Sequence, residues 1–179
     1  MRVLVTGPMN AVGSACVRAL AAAGHEVRAF GVPAGEDPFH GVANVECYPG
    51  DVATGGSIEP VASECRAFVH ASPLDAPGKD RRAHAVKVER GTLYARYGAE
   101  RELVDRFVCV LPQSPEPAWM EAVEAAERSA KAAREVPVTI LRATARDPEA
   151  AAREAVRILG PAATAPAATA PAATAPAGH

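Results

Sequence analysis

The chain has 179 residues, about half of them apolar, and a formal net charge of −2. That length fits one domain plus a short appendage, and the apolar half, mostly Ala and Val with few aromatics, can bury a core of small side chains. The near-neutral balance argues against a nucleic-acid partner recruited by bulk charge, and no apolar run approaches the roughly 20 residues that cross a bilayer.

The first strand is read at Val3-Leu4-Val5, ending in Thr6-Gly7. Apolar residues at Val12, Ala15, Cys16, Ala19, Leu20 and Ala23 then recur with helical period, and Gly24 stops that helix. A second strand is expected over 26–30, a Gly/Pro-rich loop over 31–41 and a short third strand over 45–48. Pro49-Gly50 turns the chain into Asp51-Val52, and a weak helix follows over 57–64. The fourth strand is read at 67–70. A long helix is expected over 82–97, weakened at Gly91, with a second helical piece over 99–104. The fifth strand is read at 107–111, and then a helix over 118–135 in which Glu124–Arg128 and Glu127–Lys131 are i,i+4 pairs in the favourable order. The sixth strand is read at 138–141 and the last helix at 148–159, closed by Gly160.

Strands alternating with helices imply an α/β fold: a Rossmann-like, doubly wound parallel sheet of about six strands, order 3-2-1-4-5-6, in a three-layer α/β/α sandwich. The domain is expected over 1–160. Residues 161–179, with Pro-Ala-Ala-Thr-Ala repeated three times, are expected to form a disordered tail, because they lack the apolar surface that would offset ordering. The four cysteines, Cys16, Cys47, Cys65 and Cys109, are scattered without a C-x-x-C pair and are read as free thiols, with no metal site expected. Because the sequence opens straight into a strand, no leader is expected and the protein is read as cytoplasmic.

The first strand, its glycine turn and the following helix place a helix N-terminus where a pyrophosphate can sit. The spacing Thr6-Gly7-x-x-Asn10-x-x-Gly13 resembles the T-G-x-x-G-x-x-G turn of the extended and atypical short-chain dehydrogenase/reductases, which include the NAD-dependent epimerase/dehydratases and the NmrA-like proteins. Further similarities follow in family order. Gly50-Asp51-Val52 resembles the segment after strand 3, and Phe68-Val69-His70-Ala71-Ser72 the end of strand 4. Val86 to Thr92 is similar to N-V-x-G-T with Lys87 for the asparagine, Arg106 to Val110 resembles strand 5, and Pro137 to Arg142 resembles strand 6. The resemblance spans about residues 1–145. It implies NAD or NADP as cofactor, held by Thr6, Gly7, Asn10, Ala11, Val12, Gly13, Asp51, Val52, His70, Ala71 and Ser72.

The turn departs from the family in two places. Asn10 stands for the middle glycine, tolerating positive φ better than most residues but crowding the pyrophosphate with its side chain. Pro8 removes an amide donor. The alternative reading is a Rossmann-like domain that has lost its dinucleotide. Asp51 also suits an N-cap and His70 a packed strand end. Arg28 is expected to face solvent, and nothing after the second strand selects NAD over NADP.

The family's catalytic tyrosine and lysine are missing from the expected positions. Aligning the helix after strand 5 puts Trp119 and Val123 there, and neither side chain can exchange a proton. No catalytic residue is therefore assigned. The first reading is a dinucleotide-binding domain without family catalysis, acting as sensor or scaffold. The second is an oxidoreductase or epimerase using other residues (His70, His84, Tyr94 or a partner's groups). The third is an interaction domain that binds no nucleotide. A homodimer through the helices at 82–97 and 118–135 is expected from the small faces of Ala122, Ala126, Ala130 and Ala133, the alternative being that these alanines pack on the sheet.

Overall fold

The computed structural model describes residues 1–55, 58–74, 80–113, 115–117 and 119–162. The six apolar runs form strands β1 (Arg2–Thr6), β2 (Glu26–Val32), β3 (Val45–Pro49), β4 (Ala67–Ala71), β5 (Arg106–Pro112) and β6 (Val138–Ala143). All pairings are parallel and the order is β3-β2-β1-β4-β5-β6, as expected. Between them lie helices α1 (Ala11–Ala22), α2 (Ile58–Ala62), α3 (Arg81–Arg101), α4 (Met120–Lys131) and α5 (Pro148–Leu159), with a 3-10 turn at Val52–Thr54 that the sequence pattern did not reveal.

Each face of the sheet has its own core. Val3, Val5, Val69, Val108 and Val110 pack against Val12, Cys16, Leu20, Ala152 and Ala155 of α1 and α5. Leu4, Phe68, Phe107, Cys109 and Leu111 pack against Ile58, Val88, Ala95, Ala99, Val123 and Ala126 of α2, α3 and α4. Successive strand side chains point to opposite faces, so a near-continuous apolar run supplies both cores.

Helix ends follow the capping residues. Asp80 Oδ1 accepts from the Ala83 amide at 2.9 Å, and Asp147 Oδ1 from the Ala150 amide at 3.0 Å ahead of Pro148. Gly91 does not interrupt α3, and a Cβ there would lie 3.2 Å from His70 Cε1. The residue that costs the helix about 1 kcal/mol in propensity thus lets it approach β4. The two pairs on α4 form, Glu124–Arg128 at 3.9 Å and Glu127–Lys131 at 2.7 Å. The helix itself is shorter than expected, ending at Lys131 rather than 135.

One expectation is corrected. Arg28 does not simply face solvent. It donates to the Val61 and Ser63 carbonyls at 2.9 and 2.8 Å, closing the C-terminal end of α2, and stacks over Tyr48. On α4, Ala122, Ala126 and Ala130 are buried inside the subunit, which is the alternative expected for these alanines, and Ala133 beyond the helix is half-buried. The amphipathic period that exposed their spacing reflects packing on the sheet and α3.

The chain leaves α5 at the N-terminal end of the sheet. His25 Nε2 lies 2.8 Å from the Gly160 carbonyl, and the Ala162 amide donates to the Ala23 carbonyl at 3.2 Å. The tail from residue 163 and Ser57, expected to open the second helix, lie outside the described residues.

Candidate functional site

The turn between β1 and α1 opens at the C-terminal ends of the strands, between β1 and β4, where the sheet order reverses direction. In open α/β sheets that crevice is the binding position. Two glycines make the turn feasible. Gly7 sits at φ +75°, and a Cβ there would lie 2.2 Å from the Ala71 carbonyl oxygen. A Cβ on Gly13 would lie 2.0 Å from the Gly7 carbonyl oxygen, so only glycine lets α1 start directly above the turn.

Asn10 behaves differently from the expectation. Its backbone is extended, at φ −86° and ψ 161°, so no positive φ is involved. It is the N-cap of α1, its Oδ1 accepting from the Gly13 amide at 2.8 Å. Its Nδ2 turns to β4 and donates to the carbonyls of Ala71 at 2.9 Å and Ser72 at 3.4 Å. The side chain ties helix to strand across the crevice floor instead of standing in the path of a phosphate. The Ser14 amide bonds the Asn10 carbonyl at 2.9 Å. Of the first four helical amides, which have no partner within a helix, those of Ala11 and Val12 are left facing the crevice.

Beneath the turn is a buried polar chain. Thr6 Oγ1 lies 2.7 Å from His70 Nδ1, and Ser72 Oγ lies 3.1 Å from His70 Nε2. All three residues are buried. Burial pushes the His70 imidazole down to about 4, so it is neutral near pH 7, one ring nitrogen donating and the other accepting. His70 is thus a packed strand-end residue holding two hydroxyls. The linkage sign follows from the depressed value. The unfolded chain, with an imidazole near about 6.5, takes up the proton first, so stability is full above that pH and falls as pH drops toward 4. His25, also lowered by burial, contributes in the same direction. Urea midpoints measured from pH 7.5 to 4 should therefore fall steadily, and His70→Gln should flatten the profile. An unchanged slope in the variant would show that His70 is not the group titrating.

The remaining expected residues lie farther along the same edge. A Cβ on Gly31, late in β2, would lie 3.5 Å from Pro8 Cδ and 3.8 Å from the Gly50 carbonyl oxygen. Pro8 is buried there, closing the turn against β2. Asp51 N-caps the 3-10 turn, its Oδ1 accepting from the Ala53 amide at 2.9 Å. The structure therefore brings Thr6, Gly7, Asn10, Ala11, Val12, Gly13, His70, Ala71 and Ser72 together, and Val52 reaches them beside α3, where a Cβ on Gly91 would lie 3.4 Å from Val52 Cγ1 and 3.2 Å from His70 Cε1. Beside Asp51 opens a cleft of about 540 Å³ lined in part by Arg82, Val86, Lys87 and Arg90 of α3. These cations were not singled out as a group in the sequence, although the four-residue spacing of Arg82, Val86 and Arg90 was the available signal.

Trp119 and Val123 are 3% and 1% exposed. Trp119 meets His84 edge to face, ring centroids 4.6 Å apart. Both belong to the core beneath α3 and α4 rather than to the crevice. The thiols of Cys16 and Cys109 are pushed up to about 12 and those of Cys47 and Cys65 to about 11, first of all by burial, so none is a ready nucleophile. Among the described residues no cluster of His, Cys, Asp or Glu could hold a metal, and no helix is long and apolar enough to cross a membrane.

No protein-family model and no curated protein matches the chain. Solved structures do. The Bordetella bronchiseptica enzyme WbmG in complex with NAD superposes with a TM-score of 0.67 at 21% identity, over 79% of this chain and 52% of that one. The chain has its fold. UDP-glucuronic acid 4-epimerase from Bacillus cereus in complex with NAD gives a TM-score of 0.65 at 16% identity, covering 79% and 55% of the two chains. A short-chain dehydrogenase/reductase superfamily protein from Agrobacterium tumefaciens with bound NAD gives 0.64 at 21%, covering 79% and 48%. The chain thus spans about half the length of each of these structures.

Proposed function

We propose that this chain is a dinucleotide-binding domain that takes NAD or NADP across the C-terminal edge of its sheet and lacks the acid/base pair of the enzymes it resembles. The observation that carries this reading is the electrostatics of α1. The other helices have an acid at their N-terminal ends: Glu59 on α2, Asp80 before α3, Glu121 on α4, and Asp147 and Glu149 on α5. Among the described residues α1 alone has neither an acidic cap nor an acid in its first turn. Its positive end is left uncompensated, with the Ala11 and Val12 amides aimed at the switch-point crevice. That arrangement suits an anion such as a pyrophosphate.

The residues present fit the group. Gly7 and Gly13 hold the turn open, Asn10 is folded down onto β4, and Asp51 with Val52 would border the adenosine half. The bound cofactor would supply hydride chemistry. The buried neutral His70 does not offer an acid/base group to it, and Trp119 and Val123 lie in the core. A sensor or scaffold role follows better from this set than turnover does.

Titration calorimetry with NAD⁺, NADH, NADP⁺ and NADPH tests the reading. Saturable one-site binding of at least one form is expected, without cofactor-dependent turnover of sugar nucleotides or carbonyl compounds. Failure of all four to bind at millimolar concentration would favour the interaction-domain reading. Turnover by rigorously purified protein would show that other residues do the family's chemistry.

A further inference from the structure

The C-terminal half of α3 and the body of α4 set opposite charges together. Arg96 pairs with Glu100 at 3.7 Å and Arg101 with Glu59, and on α4 Glu124 pairs with Arg128 and Glu127 with Lys131. The N-terminal half of α3 does the reverse. Arg82 stands in its first turn, where the helix dipole disfavours a cation. Lys87 and Arg90 lie three residues apart, neighbours of like charge on the helix surface. Among the described residues none of these three cations is within ion-pair distance of a carboxylate. Glu89, the acid beside them in sequence, lies round the helix on the groove toward α4.

The three cations line one concavity, the cleft of about 540 Å³ between α3 and the 3-10 turn at Val52–Thr54. That volume is in the range of small-ligand pockets. Two carboxylates stand at its margin, and each is engaged by a backbone amide: Asp51 by Ala53 and Asp80 by Ala83, both at 2.9 Å. The rest of the surface between the cations is apolar, made by Ala53, Ala83 and Val86, the last of them 37% exposed. Arg82, Val86 and Arg90 recur every four residues, so two guanidinium groups bracket a valine along roughly 12 Å of helix. Unpaired like charges around an exposed valine are unfavourable in the free protein, and such local departures from the rules kept elsewhere concentrate at functional sites.

We propose that this cleft is a second ligand site, which takes a small phosphate monoester with an apolar body. Arg82, Lys87 and Arg90 would hold the phosphate, and Val86 with Ala53 and Ala83 would seat the body. A dianionic phosphate removes the repulsion between Lys87 and Arg90 and accepts paired hydrogen bonds from an arginine fork. The concavity and its apolar floor favour a small molecule over the acidic face of another protein. The proposal does not rest on dinucleotide binding.

Amide chemical shifts of the isotopically labelled full chain, titrated with naphthyl phosphate and with inorganic phosphate in the absence of dinucleotide, test it. Saturable shifts are expected at the amides of 53–54 and 82–90. Naphthyl phosphate should bind the more tightly of the two, and added salt should weaken both. Lys87→Gln and Arg90→Gln should each weaken naphthyl phosphate about tenfold. Without ligand, at low ionic strength, each variant should melt no lower than the wild type, because a repulsion has been removed. A cation with a purely structural role would instead lower the melting temperature when lost. Shifts confined to 7–13 would place the anion at the α1 turn, and equal affinity for the two phosphates would remove the apolar seat. A hexaglutamate peptide that moves the 82–90 amides at lower concentration than naphthyl phosphate would point to an acidic protein partner. Any of these results, or silence at 82–90 with every probe, would overturn the proposal. Failure of NAD and NADP to bind would leave these shifts as they are, so the two readings fail separately.

Discussion

Asn10→Asp is expected to destabilise the fold at pH 7 and to abolish dinucleotide binding, although Asp and Asn cap helices about equally well. One carboxylate oxygen can still accept from the Gly13 amide. The other then faces the carbonyls of Ala71 and Ser72, to which Nδ2 now donates at 2.9 and 3.4 Å. An acceptor would stand against two acceptors. Losing that donor costs about 1–3 kcal/mol, against a helix-dipole gain of about 0.3–1 kcal/mol for the new charge, so the loss wins. The same charge opposes an incoming pyrophosphate. Once protonated, the introduced carboxyl group can donate again, so its folded-state value is raised. The penalty is therefore full above that value and disappears as pH falls below the unfolded value near about 4. Urea midpoints of variant and wild type should converge in acid and separate at neutral pH. Equal midpoints at pH 7 would refute the tether. Asn10→Gly, which the sequence alone suggests should tighten binding, is expected instead to loosen the helix from β4.

Val123→Lys should have the larger effect, with or without Trp119→Tyr. Placing the family's tyrosine and lysine at 119 and 123 is expected from the sequence to leave the protein inactive, and the packing adds a cost in stability. The side chain at 123 is 1% exposed and packs with Trp119 and Ala126 in the core under α4. A lysine there has no carboxylate partner, and an uncompensated buried charge typically costs about 3–5 kcal/mol, a large share of a total stability of about 5–15 kcal/mol. Burial lowers the ammonium value. The variant should therefore lose stability as pH falls from about 10 and recover it only in alkali, where both states are neutral. Denaturation followed from pH 6 to 10.5 checks this, together with the expected absence of cofactor-dependent turnover in the double variant. A lysine variant as stable as the wild type at pH 7 would mean that position 123 reaches solvent.

The strand order was legible because six apolar runs alternate with helical-period segments, and parallel crossovers leave few topologies. The helix termini at Gly24 and Gly160 were legible for a related reason, since a glycine after the last apolar residue is a local signal. What a side chain does across the sheet was not. Asn10 could be aligned with a glycine, but its bonds to Ala71 and Ser72 join residues 61 and 62 positions apart. Arg28 looked exposed by strand alternation, and its partners lie in the last turn of α2 and just beyond it, 33 and 35 positions away. The alanines of α4 announced a close contact without saying with what. Periodicity gives the face that is buried; only the packed fold gives the partner.

The anchoring of Gly160 and Ala162 beside His25 and Ala23 has a practical side. Those contacts hold the outgoing chain at the start of β2, whereas the α1 turn opens at the ends of the strands, a five-residue strand of roughly 17 Å away. A solid support, a fluorophore or a fused protein joined directly after Ala162 would begin its path on the side of the molecule remote from Gly7 and Asn10. Captured through that point, the protein would keep the crevice above Gly7 and Asn10 turned away from the support.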